Sequence, residues 1–211
     1  MEIGIQEHAL FYGLLAKNAC LLLGEEKGKQ IMHDITYAYG YHRGERMRNT
    51  ALQSGDTPDM LAYFVYGEWK GKQGENISSM EYRNDCSIST VHKCAWIDTW
   101  QKYDLMDYGP LYCRDIDVAI KDGFNGGFDL VVEKSKGRGD DVCIFHWSQP
   151  ADALKLAEIR KQNQDRFIKP FSFHVQDLLA SAEKVLKEKE PEKAEQILQK
   201  TKAEYEKEAG I

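Results

Sequence analysis

One short segment of the sequence carries a cysteine and an aspartate at a spacing that favours an active site. Intervals of three or four residues place five side chains on one face of a predicted helix over 111–122: Cys113, Ile116, Asp117, Ile120 and Phe124. Asp117 therefore points inward, where an unpaired carboxylate costs on the order of several kcal/mol. We expect it to act as a general acid or base. The structural alternative is that Asp117 braces a loop near Gly139.

Two cysteines and two histidines are further candidates for chemistry. Cys113 would be a nucleophile if a cationic neighbour lowered the pKa of its thiol; otherwise it is a small buried hydrophobic residue. Cys143 and His146 lie in a predicted strand over 142–147, where their spacing puts them on opposite faces unless a bulge intervenes. His92, in an earlier predicted strand, is a second candidate base. Its flanking cysteines are a weak signal for a metal, and we predict no metal site.

A helical segment over 27–53 supplies two candidate anchors for an anionic substrate. Arg43 or Arg46 could hold a carboxylate through paired N–H donors. The alternative is a solvated helix face on which these arginines form ion pairs with Glu45 or Asp34.

The remaining elements follow from hydrophobic periodicity. Helices are predicted over 3–23, 27–53 and 56–69, strands over 77–96 and 128–147, and helices over 151–164, 172–189 and 191–208. The strand connections near Asp85 and Gly139 are too short for parallel crossovers. The pattern predicts an α+β fold in which N-terminal helices pack on a small antiparallel sheet, with a C-terminal helical tail. We assign residues 1–170 to a catalytic or ligand-binding domain and 171–211 to a helical hairpin.

Composition excludes several classes of partner. The 211 residues carry a net charge of −6 without a basic run, which argues against nucleic acid. No run approaches the roughly 20 apolar residues of a membrane span. The five cysteines lack C-x-x-C spacing, which argues against a disulfide framework or structural zinc. We expect a cytoplasmic protein that uses no cofactor, and its amphipathic tail predicts a homo-oligomer.

The middle of the chain also resembles a known family. The pattern begins with Tyr112-Cys113 and Ile116-Asp117, continues with Gly123-Phe124-Asn125, and ends with Gly139-Asp140-Asp141, Cys143 and Phe145. It resembles the L-2-amino-thiazoline-4-carboxylic acid hydrolases over about residues 1–150. The resemblance implies a hydrolase that opens a C–N bond of a small carboxylate-bearing heterocycle of the cyclic amidine type. On this basis Tyr112, Asn125 and Cys143 join the arginines as substrate-binding candidates.

The implied mechanism leaves two nucleophiles open. Cys113 would attack the electrophilic ring carbon, or Asp117 would activate a water to do so, and His146 or His92 would protonate the leaving atom. Two other functions remain as alternatives. One is a vinyl-reductase-like binding module that holds a ligand without turnover. The other is a ring-opening lyase or isomerase, which needs Asp117 and a histidine but no nucleophilic cysteine.

Overall fold

The helices and strands follow the predicted periodicities over most of the chain. The structure is a computed structural model that describes residues 3–163 and 166–210. Within these ranges the elements are α1 (Ile5–Leu23), α2 (Glu25–Gln53), α3 (Met60–Val65), β1 (Ile77–Tyr82), β2 (Ser87–Lys93), α4 (Ala95–Lys102), α5 (Leu111–Phe124), β3 (Leu130–Lys134), β4 (Cys143–Trp147), α6 (Ala153–Asn163), α7 (Phe171–Lys189) and α8 (Pro191–Ala209). The predicted α+β class, with its antiparallel sheet and C-terminal helical tail, is confirmed. None of the helices in the described ranges is both long and apolar enough to cross a membrane.

The chain forms two compact units. The first contains the chain up to Tyr39, Ala95–Ile116 and the chain from Pro170 onwards. The second contains Gly40–Cys94 and Asp117–Lys169. The last segment of the first unit begins at Pro170 and brings α7 and α8 together with α1.

The first unit is a helical assembly with an aromatic core. Helix α1 begins at Ile5, where the carboxylate of Glu7 accepts a hydrogen bond from the backbone N–H of Gly4 at 2.7 Å. The rings of Phe11 and Tyr205 meet edge to face at 5.4 Å and join α1 to α8. Asn18 donates a hydrogen bond to Thr201 between the same two helices.

The second unit contains the sheet, whose strand order is β1-β2-β4-β3 with every neighbouring pair antiparallel. Strand alternation divides its side chains between two faces. Cys143 and Trp147 are buried on one face, where the indole N–H of Trp147 donates to Ser89 Oγ. His92 and His146 lie on the other face. His146 directly precedes Trp147 on β4 and pairs with Ile88 on β2, and His92 shares the face of Ile88 because it lies four residues further along the same strand.

Two glycines allow the backbones of α2 and α5 to touch within the second unit. A Cβ atom added to Gly44 would lie 2.1 Å from the carbonyl oxygen of Ile120, and one added to Gly123 would lie 2.0 Å from that of Tyr41. Any larger side chain would therefore force the helices apart. This close approach places Arg43, next to Gly44, beside the helix that carries Asp117.

Two predicted elements differ from the structure. The strand predicted to continue to Trp96 ends at Lys93, and residues 95–102 form α4. Trp96, Ile97 and Trp100 are buried on this helix, so its apolar residues follow helical spacing. The third helix, predicted over 56–69, is the shorter α3, whose first turn is capped by the Asp59 carboxylate accepting from Ala62 N.

Candidate active site

Arg43 is a buried guanidinium with no hydrogen bond among the described residues. The residue is only 5% exposed. Its Nε lies 3.9 Å from a carboxylate oxygen of Glu68, too far for a hydrogen bond, and its guanidinium carbon lies 6.0 Å from the ring centre of Trp69. A guanidinium has five N–H donors, and buried polar groups normally find partners. Arg43 therefore has the character of an anion-binding side chain.

Arg46 is occupied by the protein itself. Its Nε donates to one oxygen of the Glu68 carboxylate at 3.0 Å and its Nη2 to the other at 2.8 Å. This two-pronged pairing fixes a carboxylate that is 4% exposed. Of the two arginines predicted to bind substrate, Arg43 is the one that makes no hydrogen bond with the described residues.

Asp117 is half-buried on α5 and makes neither a hydrogen bond nor an ion pair with the described residues. Burial raises the pKa of its carboxyl from 3.8 to about 6, and the nearby positive charge of Arg43 opposes this rise. Asp117 does not brace the loop near Gly139, which was the structural alternative. The loop near Gly139 is held by Asp140, whose carboxylate accepts a hydrogen bond from Ser135 N at 2.8 Å.

Tyr63 of α3 lies near Asp117 and Arg43 and was not selected from the sequence. Burial raises the pKa of its phenol well above the ordinary range, the charge of Asp117 raises it further, and Arg43 lowers it. Its hydroxyl has no hydrogen-bond partner among the described residues. In the sequence, Tyr63 is one of several aromatic residues between positions 63 and 69, and its spacing does not distinguish a functional tyrosine from one that packs in the core.

Cys143 faces the same region from β4. Its Sγ accepts a hydrogen bond from Lys136 N at 3.3 Å. Burial raises the pKa of the thiol, Lys136 and Ser135 lower it, and the charge of Asp117 raises it, with a net rise. The thiol is therefore in its neutral, weakly nucleophilic form near neutral pH.

The two histidines predicted as bases lie on the opposite face of the sheet from Cys143. His92 is exposed and bonds to Ser79 Oγ at 2.9 Å across β1 and β2. His146 Nε2 lies 2.5 Å from a carboxylate oxygen of Glu133 across β3 and β4. Among the described residues, no three histidine, cysteine or acidic side chains are grouped as a metal site would require.

Three other predicted residues have clear local settings. Cys113 is half-buried in the first unit, near Tyr12. Tyr112 is buried there against the rings of Tyr12 and Trp96. Asn125 is exposed in the second unit and ends α5 with a left-handed backbone (φ 50°), a conformation that asparagine tolerates.

A second polar cluster, in the core of the first unit, does not stand out in the sequence. Trp96 Nε1 donates to His8 Nδ1 at 3.3 Å, so a neutral His8 carries its proton on Nε2 and offers it to the Tyr39 hydroxyl at 3.4 Å. Tyr39 is then the donor to His174 Nδ1, also at 3.4 Å. Both histidines are 1% exposed, so this network joins α1, α2, α4 and α7 inside the core.

The second unit thus groups a buried cation without hydrogen bonds, a carboxyl that titrates near neutrality, a phenol and a neutral thiol. A carboxyl with a pKa near 6 can accept a proton from water at neutral pH, and a buried guanidinium can hold an anionic group nearby. This set of groups suits hydrolysis of a small anionic molecule.

Comparison with known proteins identifies a family for the chain. The chain matches no curated protein and no solved structure. A family model described as L-2-amino-thiazoline-4-carboxylic acid hydrolase matches residues 4–147, which is more than half of the chain. The chain therefore belongs to the L-2-amino-thiazoline-4-carboxylic acid hydrolase family.

Proposed function

We propose that this protein hydrolyses a C–N bond in a small, carboxylate-bearing heterocycle of the cyclic amidine type. One observation carries the proposal: Arg43 and Asp117 lie within electrostatic range of each other, and neither makes a hydrogen bond with the described residues. A buried cation and a carboxyl that make no hydrogen bonds with the described residues suit a ligand that supplies them.

Arg43 holds the carboxylate of the substrate. Its unused N–H donors match the two oxygens of a carboxylate, and its burial excludes water that would compete for them. Arg46 acts indirectly, since its pairing with Glu68 fixes a negative charge 3.9 Å from Arg43 Nε and stabilises the buried cation.

Asp117 activates the water. Its carboxylate removes a proton from water as the oxygen forms a bond to the amidine carbon. That proton passes to the ring nitrogen. The C–N bond of the tetrahedral intermediate then breaks as its hydroxyl gives up a proton to become the carbonyl, and the nitrogen takes up a second proton and leaves as an amine. One water is consumed, and the carboxylate is restored when it gives up its proton.

Water is favoured over the Cys143 thiol as the nucleophile in this scheme. A thiol must ionise to attack, and burial keeps Cys143 protonated. The sequence-based alternative in which Cys113 attacks the ring is tested by substitution, as described in the Discussion.

The test uses L-2-amino-thiazoline-4-carboxylic acid as substrate and follows the ring-opened product by mass spectrometry. We expect the wild-type protein to add one water to the substrate. Asp117→Asn should lower kcat by roughly 100-fold or more, as expected for loss of a general base. Arg43→Gln should mainly raise KM, since it removes the carboxylate anchor. Asp129→Asn and Arg83→Gln, both at exposed positions, are the matched controls.

Two results would contradict the proposal. Retention and release of the unchanged compound by the wild-type protein would favour the binding module. Conversion to a ring-opened or rearranged isomer without incorporation of oxygen from labelled water would favour the lyase or isomerase.

A further inference from the structure

The ring of Tyr63 is held in place by aromatic neighbours on several sides. Its centre lies 5.4 Å from Phe124 on α5, 5.4 Å from Phe128 and 5.3 Å from Trp147 on β4. Edge-to-face and tilted contacts at these distances favour a defined ring orientation. The position of the hydroxyl is therefore set by packing, without help from a hydrogen bond.

That hydroxyl is unpaired among the described residues, whereas the hydroxyls of Tyr12 and Tyr66 have partners. Tyr12 bonds to Thr36 at 2.7 Å, and Tyr66 donates to Asp56. A tyrosine that is largely inside a protein usually finds a hydrogen-bond partner. An oriented hydroxyl without one is free to bond to a ligand.

The hydroxyl shares its surroundings with Asp117 and Arg43. Asp117 and Phe124 are seven residues apart on α5 and so lie on the same face of that helix. Because Tyr63 packs on Phe124, it lies against the face of α5 that carries Asp117. The electrostatic effects of Asp117 and Arg43 on the phenol agree with this placement.

We propose that Tyr63 is the proton donor to the leaving nitrogen, an inference that rests on the proposed hydrolase function. As the C–N bond breaks, the phenol O–H transfers its proton to the nitrogen, which leaves as an amine. The phenolate then takes back the proton that Asp117 removes from the hydroxyl of the tetrahedral intermediate as the carbonyl forms. The enzyme is unchanged over the cycle, and the net reaction is the addition of one water.

The chemistry of the two groups fits these roles. A phenol remains protonated at neutral pH and is available as a donor, whereas the Asp117 carboxyl is ionised above about pH 6 and is available as an acceptor. Two groups whose environments hold them in opposite protonation states can divide acid and base catalysis between them. No histidine is needed for this step.

Tyr63→Phe tests the inference because it removes only the hydroxyl and keeps the ring contacts. With L-2-amino-thiazoline-4-carboxylic acid, we expect kcat to fall by roughly 100-fold with little change in KM, in line with loss of a general acid. The melting temperature should stay at or above that of the wild type. Tyr82→Phe, at an exposed position on β1, should have no effect on turnover.

The pH profile separates proton donation from an indirect effect on Asp117. We expect Tyr63→Phe to lower the plateau of kcat while leaving the acid limb near pH 6 in place. A shifted acid limb with an unchanged plateau, or a raised KM with normal kcat, would overturn the inference. If Asp117→Asn is inactive and Tyr63→Phe has normal turnover, only the Tyr63 inference fails. If Asp117→Asn also has normal turnover, the proposed role of Asp117 as the base fails, whereas the proposed function itself fails only if the wild-type protein does not add water to the compound.

Discussion

At the scale of single residues, the raised pKa of Asp117 predicts how turnover depends on pH. A general base acts in its ionised form, and the ionised fraction of Asp117 falls as the pH drops through about 6. We expect kcat/KM for L-2-amino-thiazoline-4-carboxylic acid to be level above pH 7 and to fall about tenfold per pH unit well below pH 6. Rates measured from pH 4.5 to 8.5 test this. A level profile throughout that range would exclude Asp117 as the base.

The same pKa predicts that Asp117 lowers the stability of the fold at neutral pH. The folded-state pKa of about 6 lies above the ordinary value of 3.8, so folding favours the protonated carboxyl. The stabilisation of the fold by this protonated form is fully present below pH 3.8 and is lost as the pH rises through 6. Asp117→Asn does not titrate and should be about 1–3 kcal/mol more stable than the wild type at pH 7. This difference should shrink towards pH 4. Denaturant unfolding at both pH values measures it, and a less stable variant at pH 7 would point to a structural brace.

Cys113 distinguishes the two nucleophiles that the sequence left open. If water attacks the ring, Cys113→Ser should retain most of the wild-type kcat. If the thiol attacks, the loss should reach roughly 100-fold or more, since a hydroxyl is a far weaker nucleophile at neutral pH. Cys20→Ser, at a buried cysteine of α1 whose pKa burial raises to about 11, is the matched control.

Residue spacing singled out Asp117 and Arg43 as candidates but could not separate Arg43 from Arg46 or point to Tyr63. Asp117 was found because its position on the apolar stripe of a helix depends only on local periodicity. The pairing of Arg46 with Glu68 joins residues 22 positions apart, which periodicity does not encode. The role proposed for Tyr63 depends on its contacts with α5 and β4, both distant in the sequence.

At the scale of elements, the contact between α2 and α5 determines where Arg43 and Asp117 lie. Alanine is favoured over glycine within a helix by about 1 kcal/mol, so Gly44→Ala or Gly123→Ala would stabilise an isolated helix. Here the new Cβ would overlap a backbone carbonyl that cannot rotate away. We therefore expect a net loss of roughly 1–3 kcal/mol or more, the usual cost of overpacking, together with reduced turnover.

Thermal unfolding measures this effect, and Gly67→Ala is its control because a Cβ there would meet nothing within 4 Å. Wild-type stability and turnover in both Gly44→Ala and Gly123→Ala would show that the two helices need not touch for the site to form.

Element types were largely predictable, because long amphipathic helices and alternating strands leave distinct periods in the sequence. The segment 94–100 is the informative exception. Cys94 and Trp96 continue the strand alternation of residues 88–92, yet Trp96, Ile97 and Trp100 also fit a helix. Packing decides between the two, since Trp100 Nε1 donates to Ala9 O at 2.8 Å from within α4.

At the scale of the whole molecule, the region that matches the family model ends earlier in the sequence than the first compact unit does. The match ends at residue 147, whereas α7 and α8 belong to the same unit as α1. His174 of α7 joins the buried network of His8 and Tyr39, and α8 covers α1 through Tyr205. The tail therefore completes a core that begins inside the matched region. Its predicted role in homo-oligomer assembly remains a prediction.

This arrangement predicts that the last helix is required for stability. Removing residues 191–211 would expose the α1 surface around Phe11 and remove five buried side chains of α8: Ala194, Ile197, Leu198, Thr201 and Tyr205. We expect the truncated protein to melt at a lower temperature or to aggregate. Tyr205→Ala tests one contact in the full-length chain and should cost roughly 3 kcal/mol, as for other large buried aromatic residues. Thermal and denaturant unfolding provide both values.

Glu208→Ala is the control for the point variant, because Glu208 is exposed on the same helix and its removal should change stability by no more than about 0.5 kcal/mol. Light scattering on the full-length and truncated proteins separates the two roles of the tail. A lower melting temperature at an unchanged molecular mass would assign α8 to the core alone, whereas a change in mass as well would support the predicted homo-oligomer. A truncated protein with wild-type mass, melting temperature and turnover would contradict both roles, since α1 would then tolerate exposure of the surface that α8 covers.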